Sequence, residues 1–361
     1  MKRSNVGKML SCLVVLLLVL SSFGYSVTYT HTEIQSVDEY GDGNHPDLLT
    51  DNKVTVEGII LNRSDFMLDA EPNQYFPGPG AGAMWQIYIQ GEGDDHAGTA
   101  VWMGQCYDHI PFGDGIYSDP NWLNEIYCLN HDPCTGYEFA PGDRVRVTGL
   151  LKSYKGKTNI NEHHDTDPAN NLTIELVEAG VGLPQPEVID LNDVKYDSGP
   201  NFDEYIFDAN RLTGCEYYQA RLVRISDVNI VNPENWGPDY TDETETITIK
   251  DTNGLTFPVK LGIGYGFSRF SCPTGQIDIV GIFDQEPPAP PYPPDPKSGY
   301  RIWVPNYDGN GKVLTDRGYA RYNLPGEINR DGKVDFIDFA WLADNWLECV
   351  PGTGACGGGT D

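Results

Sequence analysis

The sequence predicts a mainly β protein that contains two copies of one small β-barrel, followed by a short C-terminal loop-helix module. The repeat is visible in PGDRVRVTGLL (residues 141–151) and TGQIDIVGIF (274–283). In both stretches a turn glycine precedes alternating residues, and the strand passes through a second glycine, Gly149 or Gly281. Alternation with a period of two is typical of half-buried strands, and a unit found twice indicates an internal repeat.

The first unit is expected over residues 25–179. An insertion at 104–138, with three cysteines, interrupts it and is expected to form surface loops that modify a binding face. The predicted strands of this unit are 53–61, 84–90, 99–103, 141–151, 157–160 and 172–177.

The second unit is expected over residues 180–315. Its central hairpin has a predicted turn at 251–254, and a proline-rich segment, 285–296, precedes the last strand. The predicted strands are 218–230, 245–250, 255–260, 276–283 and 300–304.

Five or six strands per unit, with a glycine where a small barrel must bend, indicate an OB-like barrel. The segments VTVEGIIL, WQIYIQ and PGDRVRVTGLLKSYKGKTNI resemble the OB-type domains of secreted bacterial proteins. Such domains often accompany extracellular hydrolases, but a fold alone does not specify a function. The resemblance therefore implies two tandem OB-like β-barrels whose ligand is carbohydrate or protein.

The net charge restricts the partners of the protein, and the N-terminus indicates where the protein acts. The 361 residues include 53 acidic and 24 basic side chains, a formal net charge of -29, which argues against nucleic acid as a partner. Residues 1–24 combine a basic start, an apolar run and small residues before Gly24, the pattern of a signal peptide. We expect a secreted or cell-surface protein without a membrane span after cleavage; the alternative is an uncleaved anchor.

Residues 327–338 (EINRDGKVDFID) have the spacing of an EF-hand calcium loop. Oxygen-bearing side chains occupy positions 1, 3, 5, 9 and 12, and glycine occupies position 6, where such loops turn sharply. Apolar residues at intervals of three and four then predict an amphipathic helix.

The segment GEINRDGKVDFIDFAWLADNWL resembles a dockerin repeat, so a dockerin-like calcium-binding module is expected at 322–349, before a glycine-rich tail at 350–361. A dockerin normally docks to a cohesin, which makes a cohesin-type or cell-surface protein the implied partner. Alternatively, the helix packs on the chain's own barrel. The resemblance implies that Ca²⁺ is bound by Glu327, Asn329, Asp331, Lys333 (through its carbonyl) and Asp338.

Two features depart from the dockerin pattern. Position 1 is Glu rather than the usual Asp, and residues 327–347 form a single copy where dockerins carry two. Residues 306–313 (NYDGNGKV) are either a degenerate second calcium loop or a β-turn, and Asp-Gly and Asn-Gly favour the turn.

Residues 162–167 (EHHDTD) are the densest group of metal-ligating side chains, and Asp94–His96 and Asp108–His109 would join them if the fold brought them together. A solvated loop is the simpler interpretation, because adjacent histidines in a strand point to opposite faces. The lysines 152, 155 and 157 are interpreted as a solvated hairpin tip.

The cysteines and aromatic side chains leave alternatives open. An exported protein can retain disulfides, so we expect Cys349 to pair with Cys356 and consider a Cys215–Cys272 bridge. Aromatics on an OB face can stack on sugars or bases, although those within strands are expected in the core. The residues considered are Trp85, Trp102, Tyr107, Trp122, Tyr127 and Tyr154.

These observations lead to two functional hypotheses. The first is a secreted, calcium-binding, non-catalytic binding and assembly protein that docks through its dockerin-like module while the barrels bind polysaccharide or protein. The alternative is an extracellular hydrolase, or a hydrolase accessory, acting on polysaccharide or phosphodiester substrates. The sequence displays no Ser-His-Asp order or phosphate-binding glycine loop.

Overall fold

The chain is mainly β, with 36% strand and 15% helix, as the sequence predicts. The computed structural model describes residues 27–315 apart from 73–82, 109–112, 155, 198, 200–202, 241–245 and 289–293. The predicted signal peptide, the dockerin-like module, its proposed ligands and the glycine-rich tail lie outside the described residues.

Five strands of the first sheet close into a barrel in the order β2, β3, β4, β6, β5, because β5 pairs back to β2. Within this ring only the pairing of β4 with β6 is parallel, and β1 and β7 extend the sheet. The strands are β1 (Val27–Thr28), β2 (Val54–Ile60), β3 (Met84–Gln90), β4 (Gly98–Gly104), β5 (Arg144–Tyr154), β6 (Lys157–Asn161) and β7 (Thr173–Glu178).

A second sheet repeats this connectivity. After β8 (Glu187–Val188) and the short hairpin of β9 (Lys195–Asp197) and β10 (Asp203–Tyr205), five strands close in the order β11, β12, β13, β15, β14. The pairing of β13 with β15 is again the only parallel one within the ring. The remaining strands are β11 (Leu222–Ile230), β12 (Ile247–Lys250), β13 (Thr256–Leu261), β14 (Ile277–Gln285), β15 (Tyr300–Val304) and β16 (Val313–Leu314).

The repeated glycine has a steric reason in both barrels. A Cβ atom at Gly149 of β5 would lie 2.6 Å from Ile160 Cγ2, and one at Gly281 of β14 would lie 2.7 Å from Ile302 Cγ2. Real Cβ atoms do not approach other carbons so closely, so only glycine lets each strand cross its neighbour at this bend. The two glycines that mark the sequence repeat therefore occupy equivalent places in the two rings.

Within the described residues, five short or medium helices connect the strands: α1 (His31–Ile34), α2 (Asp119–Asn130), α3 (Leu191–Val194), α4 (Gly214–Tyr218) and α5 (Gly266–Arg269). Single 3₁₀ turns cover Pro46–Leu49, Ser64–Phe66 and Pro233–Asn235.

The interpretation of residues 104–138 as surface loops was wrong, because α2 lies within them. Trp122 and Leu129 of this helix are buried in the first core, with Ile126 packed against it. These residues follow the i, i+4, i+7 spacing of a helical face, a signal that the cysteines and tyrosines of the segment obscured.

The two barrels share a third apolar core between them. The outer faces of β3 and β4 pack on the outer faces of β11, β14 and β15. Across this interface the Leu222 N–H donates to Gln90 Oε1 at 2.9 Å, and the Ile263 N–H donates to the Phe66 carbonyl at 2.9 Å. The buried members of this core are Leu61, Met67, Leu68, Tyr88, Ala100, Ala220, Leu222, Val280, Ile282 and Trp303.

A buried ion cluster crosses the same interface. Lys157 Nζ lies 2.8 Å from Asp284 Oδ1, Arg301 Nη2 lies 2.8 Å from Asp284 Oδ2, and the Tyr88 hydroxyl donates to the same carboxylate. Burial alone would raise the pKa of Asp284, but the two cations outweigh it and hold that pKa below its usual value. The prediction that Lys157 lies at a solvated hairpin tip was wrong: its side chain is buried by the second barrel.

Candidate ligand-binding cleft

A polar cleft of about 230 Å³ lies on the first barrel, between α2 and the loop that follows β6. The helix contributes polar groups from its outward face, and the loop contributes a hydroxyl and an amide from the opposite side. The polar side chains that line the cleft are Tyr117, Asn121, Asn124, Glu125, Thr166 and Asn171.

The helical wall is fixed by hydrogen bonds to the barrel. The Trp122 indole N–H donates to the Ala70 carbonyl at 2.8 Å, and the Trp85 indole N–H donates to Asn130 Oδ1 at 3.0 Å. At the other end of α2, Gln105 Nε2 donates to Asp119 Oδ1 at 2.8 Å. Because both ends are held, the polar face that the helix turns to the cleft is preorganised.

The loop wall is fixed by its own side chains and by a lysine. Asp165 Oδ1 accepts the Asp167 N–H at 2.9 Å, and the Thr166 N–H donates to the Asp114 carbonyl at 3.2 Å. Lys53 Nζ donates to the Asn171 carbonyl at 2.8 Å, which holds the end of the loop against β2. Thr166 and Asn171 are thereby presented from a loop of defined shape.

A buried carboxyl lies directly behind the cleft. Glu162 is inaccessible to solvent, and its two oxygens accept hydrogen bonds from the hydroxyls of Tyr107 (2.6 Å) and Tyr117 (2.8 Å). Burial raises the pKa of Glu162 to about 7, although both tyrosine hydrogen bonds act in the opposite direction. Tyr117 also lines the cleft, so it connects the buried carboxyl to the ligand-binding surface.

The arrangement suits binding better than acid catalysis. A general acid must lie within hydrogen-bonding reach of the substrate atom that it protonates. Glu162 has a pKa in the useful range, but tyrosine hydroxyls occupy both of its oxygens and Tyr117 separates it from the cleft. Glu125, whose pKa is raised by burial, is the carboxyl that lines the cleft itself.

The side chains of residues 162–167 (EHHDTD) do not converge on one point. His163 Nε2 lies 2.9 Å from the Leu151 carbonyl, whereas the His164 ring packs against Tyr107 and Trp102 at centroid distances of 5.5 and 5.2 Å. Both histidines have φ of 56°, so the chain turns sharply here rather than continuing as a strand. Among the described residues no group of three or more His, Cys, Asp or Glu side chains is arranged to hold a metal ion.

The two acidic segments that were considered as partners of this cluster lie elsewhere. His96 Nε2 is 2.8 Å from Glu187 Oε2, and its ring stacks on Tyr217 at 3.8 Å, at the contact with the second barrel. Asp108 Oδ1 accepts the Gly115 N–H at 2.7 Å, and His109 lies outside the described residues.

Residues 306–313 form an irregular segment with a bend at residues 311–312 before β16. Asn306 Oδ1 accepts the Gly266 N–H at 2.9 Å, which directs it towards α5. Asn310 Oδ1 accepts the backbone N–H groups of Lys312 and Val313 at 2.8 and 2.7 Å. These oxygens shape the approach to β16, and the β-turn and the degenerate second calcium loop both stay predictions.

The Cys215–Cys272 bridge that the sequence left as one alternative does not form. The Cys215 thiol is buried and donates to the Val194 carbonyl at 3.2 Å, and Cys272 is a separate thiol beside Pro273. Burial raises the pKa of both thiols, which favours their uncharged forms. Cys349 and Cys356 lie outside the described residues.

Trp85, Tyr107 and Trp122 are fully buried, but of these three only Trp85 lies in a strand. Trp102 of β4 is half-buried and packs against the core, whereas Tyr154 of β5 is exposed, so the expectation that strand aromatics lie in the core is wrong for Tyr154. Tyr127 of α2 is also exposed. Neither exposed tyrosine lines the cleft.

The polar side chains of the cleft are not predicted from the sequence. Asn121, Asn124 and Glu125 share one face of α2, which recognition of the helix would have predicted from their i, i+3, i+4 spacing. Thr166 and Asn171 come from a loop, and nothing in the sequence marks them.

In the part of the chain that the structure describes, no helix is long and apolar enough to cross a membrane. No protein-family model, no curated protein and no solved structure matches this chain.

Proposed function

We propose that the chain is a secreted, calcium-binding, non-catalytic binding and assembly protein. Two OB-type barrels act together as a ligand-binding body, and a dockerin-like module at 322–349 attaches this body to a cohesin-type or cell-surface partner. The observation that carries the binding function is the polar cleft beside α2, whose walls are fixed by hydrogen bonds.

The strand order supports the OB assignment of both barrels. In each ring the first strand pairs with the second and the fourth, and the third pairs in parallel with the fifth. OB-type barrels bind ligands on the face of their second and third strands. In the first barrel this face, formed by β3 and β4, is covered by the second barrel, so the cleft beside α2 is the ligand site that we propose.

The nature of the cleft supports carbohydrate over protein as its ligand. Protein interfaces are broad and depend on buried apolar anchors, whereas this cleft is small and lined with amides, a hydroxyl and a carboxyl. Carbohydrates present closely spaced hydroxyl groups that both donate and accept hydrogen bonds, as amide side chains do.

A hydrolase acting on polysaccharide is the second candidate, because Glu162 has a pKa of about 7. The separation of Glu162 from the cleft by Tyr117 makes this the weaker proposal. The distinguishing measurement is the release of reducing sugar during prolonged incubation with any polysaccharide that the protein binds.

Retention of the intact protein on a panel of insoluble polysaccharides and on a glycan array tests the binding function. We expect selective, saturable retention without release of soluble sugar. Uniform absence of binding would remove the carbohydrate proposal, and release of sugar would replace it with the hydrolase.

Calcium titration by calorimetry tests the assembly module separately. We expect saturable binding by the intact protein and its loss in Asp331→Ala, because a calcium loop needs the carboxylate at position 5. Asp295→Ala changes an acidic side chain outside the loop and serves as the control. Absence of binding in the unmodified protein would overturn the proposed ligands Glu327, Asn329, Asp331, Lys333 and Asp338.

A further inference from the structure

We propose that the cleft beside α2 binds one neutral pyranose residue of a glycan, with the amides of Asn121, Asn124 and Asn171 recognising its hydroxyl groups. This inference rests on the proposed carbohydrate-binding function and names the substrate class and the recognising residues.

The size of the cleft limits the ligand to about one sugar ring. Pockets for drug-sized ligands enclose roughly 300–1,000 Å³. The cleft encloses about 230 Å³, which is too small for an oligosaccharide to be enclosed. The remainder of a longer glycan must therefore lie outside, so the cleft itself recognises a single residue.

Asn171 lines the cleft, and its side-chain oxygen lacks a partner. Asn171 Oδ1 is shielded from solvent and accepts no hydrogen bond from any described residue. A buried acceptor without a partner costs about 1–3 kcal/mol of free energy, and a donor placed there recovers part of it. Because Oδ1 is closed to solvent, the Asn171 amide has to rotate before a sugar hydroxyl can donate to this oxygen.

The charge of the cleft excludes anionic sugars. Its only charged lining residue among the described residues is Glu125, and no lysine or arginine side chain lines it. A uronic acid or a sulfated sugar would place a negative charge beside Glu125 without a compensating cation. A neutral hexopyranose or pentopyranose meets no such penalty.

The apolar part of the lining matches the remaining surface of a pyranose ring. Ile116 and Pro168 line the cleft together with the Tyr117 ring. A pyranose carries C–H groups on its ring faces and hydroxyl groups around its edge. Ligand sites that combine apolar surface with a few fixed polar groups bind such amphipathic molecules.

The test is saturation-transfer NMR on the intact protein with the methyl glycosides of glucose, galactose, mannose and xylose, and with glucuronate. We expect at least one neutral glycoside to bind with a dissociation constant on the order of 1 mM, as a ligand of this size allows. Glucuronate should bind at least about tenfold more weakly.

Substitutions on α2 localise the binding. Asn121→Ala and Asn124→Ala should each weaken binding roughly fivefold to tenfold, the effect of one lost hydrogen bond. Both side chains are exposed and alanine favours helix, so the fold tolerates the changes. Asn192→Ala makes the same change at an exposed position on α3 and should leave affinity unchanged.

The outcomes separate this inference from the proposed function. Polysaccharide retention that neither asparagine substitution weakens would overturn the cleft assignment while the binding function stands. Preference for glucuronate over all neutral glycosides would overturn the assigned substrate class. Absence of any glycan binding would overturn both proposals together.

Discussion

Glu162 shows how a single side chain acquires its properties from distant parts of the chain. It directly follows β6 in the first barrel, and its hydrogen-bond partners, Tyr107 and Tyr117, come from the segment that follows β4. Two hydroxyl donors stabilise the carboxylate, yet burial dominates and the negative charges of Glu125 and Asp165 add to it. The result is a carboxyl group that is partly protonated near neutral pH.

We predict that Glu162 makes the stability of the protein fall as the pH rises. Its pKa in the folded state is about 7, above the ordinary value of 4.5, so folding favours the protonated form. The stabilising contribution is complete below about pH 4.5 and is lost as the pH rises through about 7, a change of about 3 kcal/mol. Urea unfolding of Glu162→Gln between pH 4.5 and 8 should lack this component.

The control for this prediction is Glu39→Gln, which makes the same change at an exposed position. Its pH profile should follow that of the unmodified protein. A Glu162→Gln profile parallel to the unmodified one would show that Glu162 has the same pKa in the folded and unfolded states.

The sequence singled out Glu162 but gave it the wrong neighbours. EHHDTD was read as a run of metal-ligating groups because six polar residues are contiguous there. The contacts that define Glu162 involve tyrosines 45 and 55 residues earlier in the chain, and no periodic pattern records such contacts. The solvated-loop interpretation was wrong as well, because Glu162 and His164 are buried and each histidine ring has its own local partner.

At the scale of elements, α2 connects the barrel core to the cleft. Its inward face carries Trp122 and Leu129 into the core, and its outward face carries Asn121, Asn124 and Glu125 to the cleft. A displacement of the inward face therefore moves the polar groups that we propose bind the ligand. Packing in the core and affinity at the surface are coupled through one helix.

We predict that two substitutions of Trp122 separate its packing from its hydrogen bond. Trp122→Phe keeps an aromatic ring but loses the 2.8 Å bond to the Ala70 carbonyl, and should cost about 1 kcal/mol. Trp122→Ala also creates a cavity, and should cost about 3–5 kcal/mol. Urea unfolding followed by circular dichroism gives both values, and sugar affinity should fall further in Trp122→Ala.

Equal costs for the two Trp122 variants would mean that the indole ring is not packed in the core. Leu123→Ala provides the matched control on the same helix, because this side chain is exposed and its truncation should change stability by less than about 0.5 kcal/mol.

Strands with a clear alternation of apolar residues were predictable from the sequence, whereas helix α2 in the insertion at 104–138 was not. β3 and β15 have the predicted bounds, and the other long strands agree to within a few residues. Alternating apolar residues over five or more positions determine such strands locally. In α2 only three apolar residues mark the inward face, and flanking loops with cysteines and tyrosines hide this short stripe.

At the scale of the whole molecule, the repeat predicted two barrels but not how they meet. Lys157 lies next to a glycine turn and was read as solvated, yet its partner Asp284 is 127 residues away in the sequence. Tyr88 and Gln90 likewise occupy the outer face of β3, where polar residues normally indicate solvent. The sequence of a single strand does not show whether its polar face is exposed to solvent or covered by a second barrel, because the residue types are the same in both cases.

The shared core and the buried ion cluster predict that the described barrels unfold together. Scanning calorimetry should show one transition for this part of the molecule, because separating the barrels would expose Trp303, Leu222 and Tyr88 together with Lys157 and Asp284. Two well-separated transitions, assigned to the barrels by limited proteolysis, would contradict this expectation.

Asp284→Asn tests whether the ion cluster holds the interface. The substitution leaves Lys157 and Arg301 buried with Glu286, whose Oε2 lies 3.5 Å from Lys157 Nζ, as the remaining carboxylate of the cluster, which should cost about 3–5 kcal/mol in the free energy of unfolding. Asp65→Asn removes an exposed partner of Arg63 and should cost less than about 1 kcal/mol.

Because the pKa of Asp284 is held below its usual value, the contribution of this carboxylate to stability is present at neutral pH and is lost as the pH falls below about 4. The unmodified protein should therefore lose stability in acid more steeply than Asp284→Asn, and parallel acid profiles would show that the cluster does not stabilise the contact between the barrels.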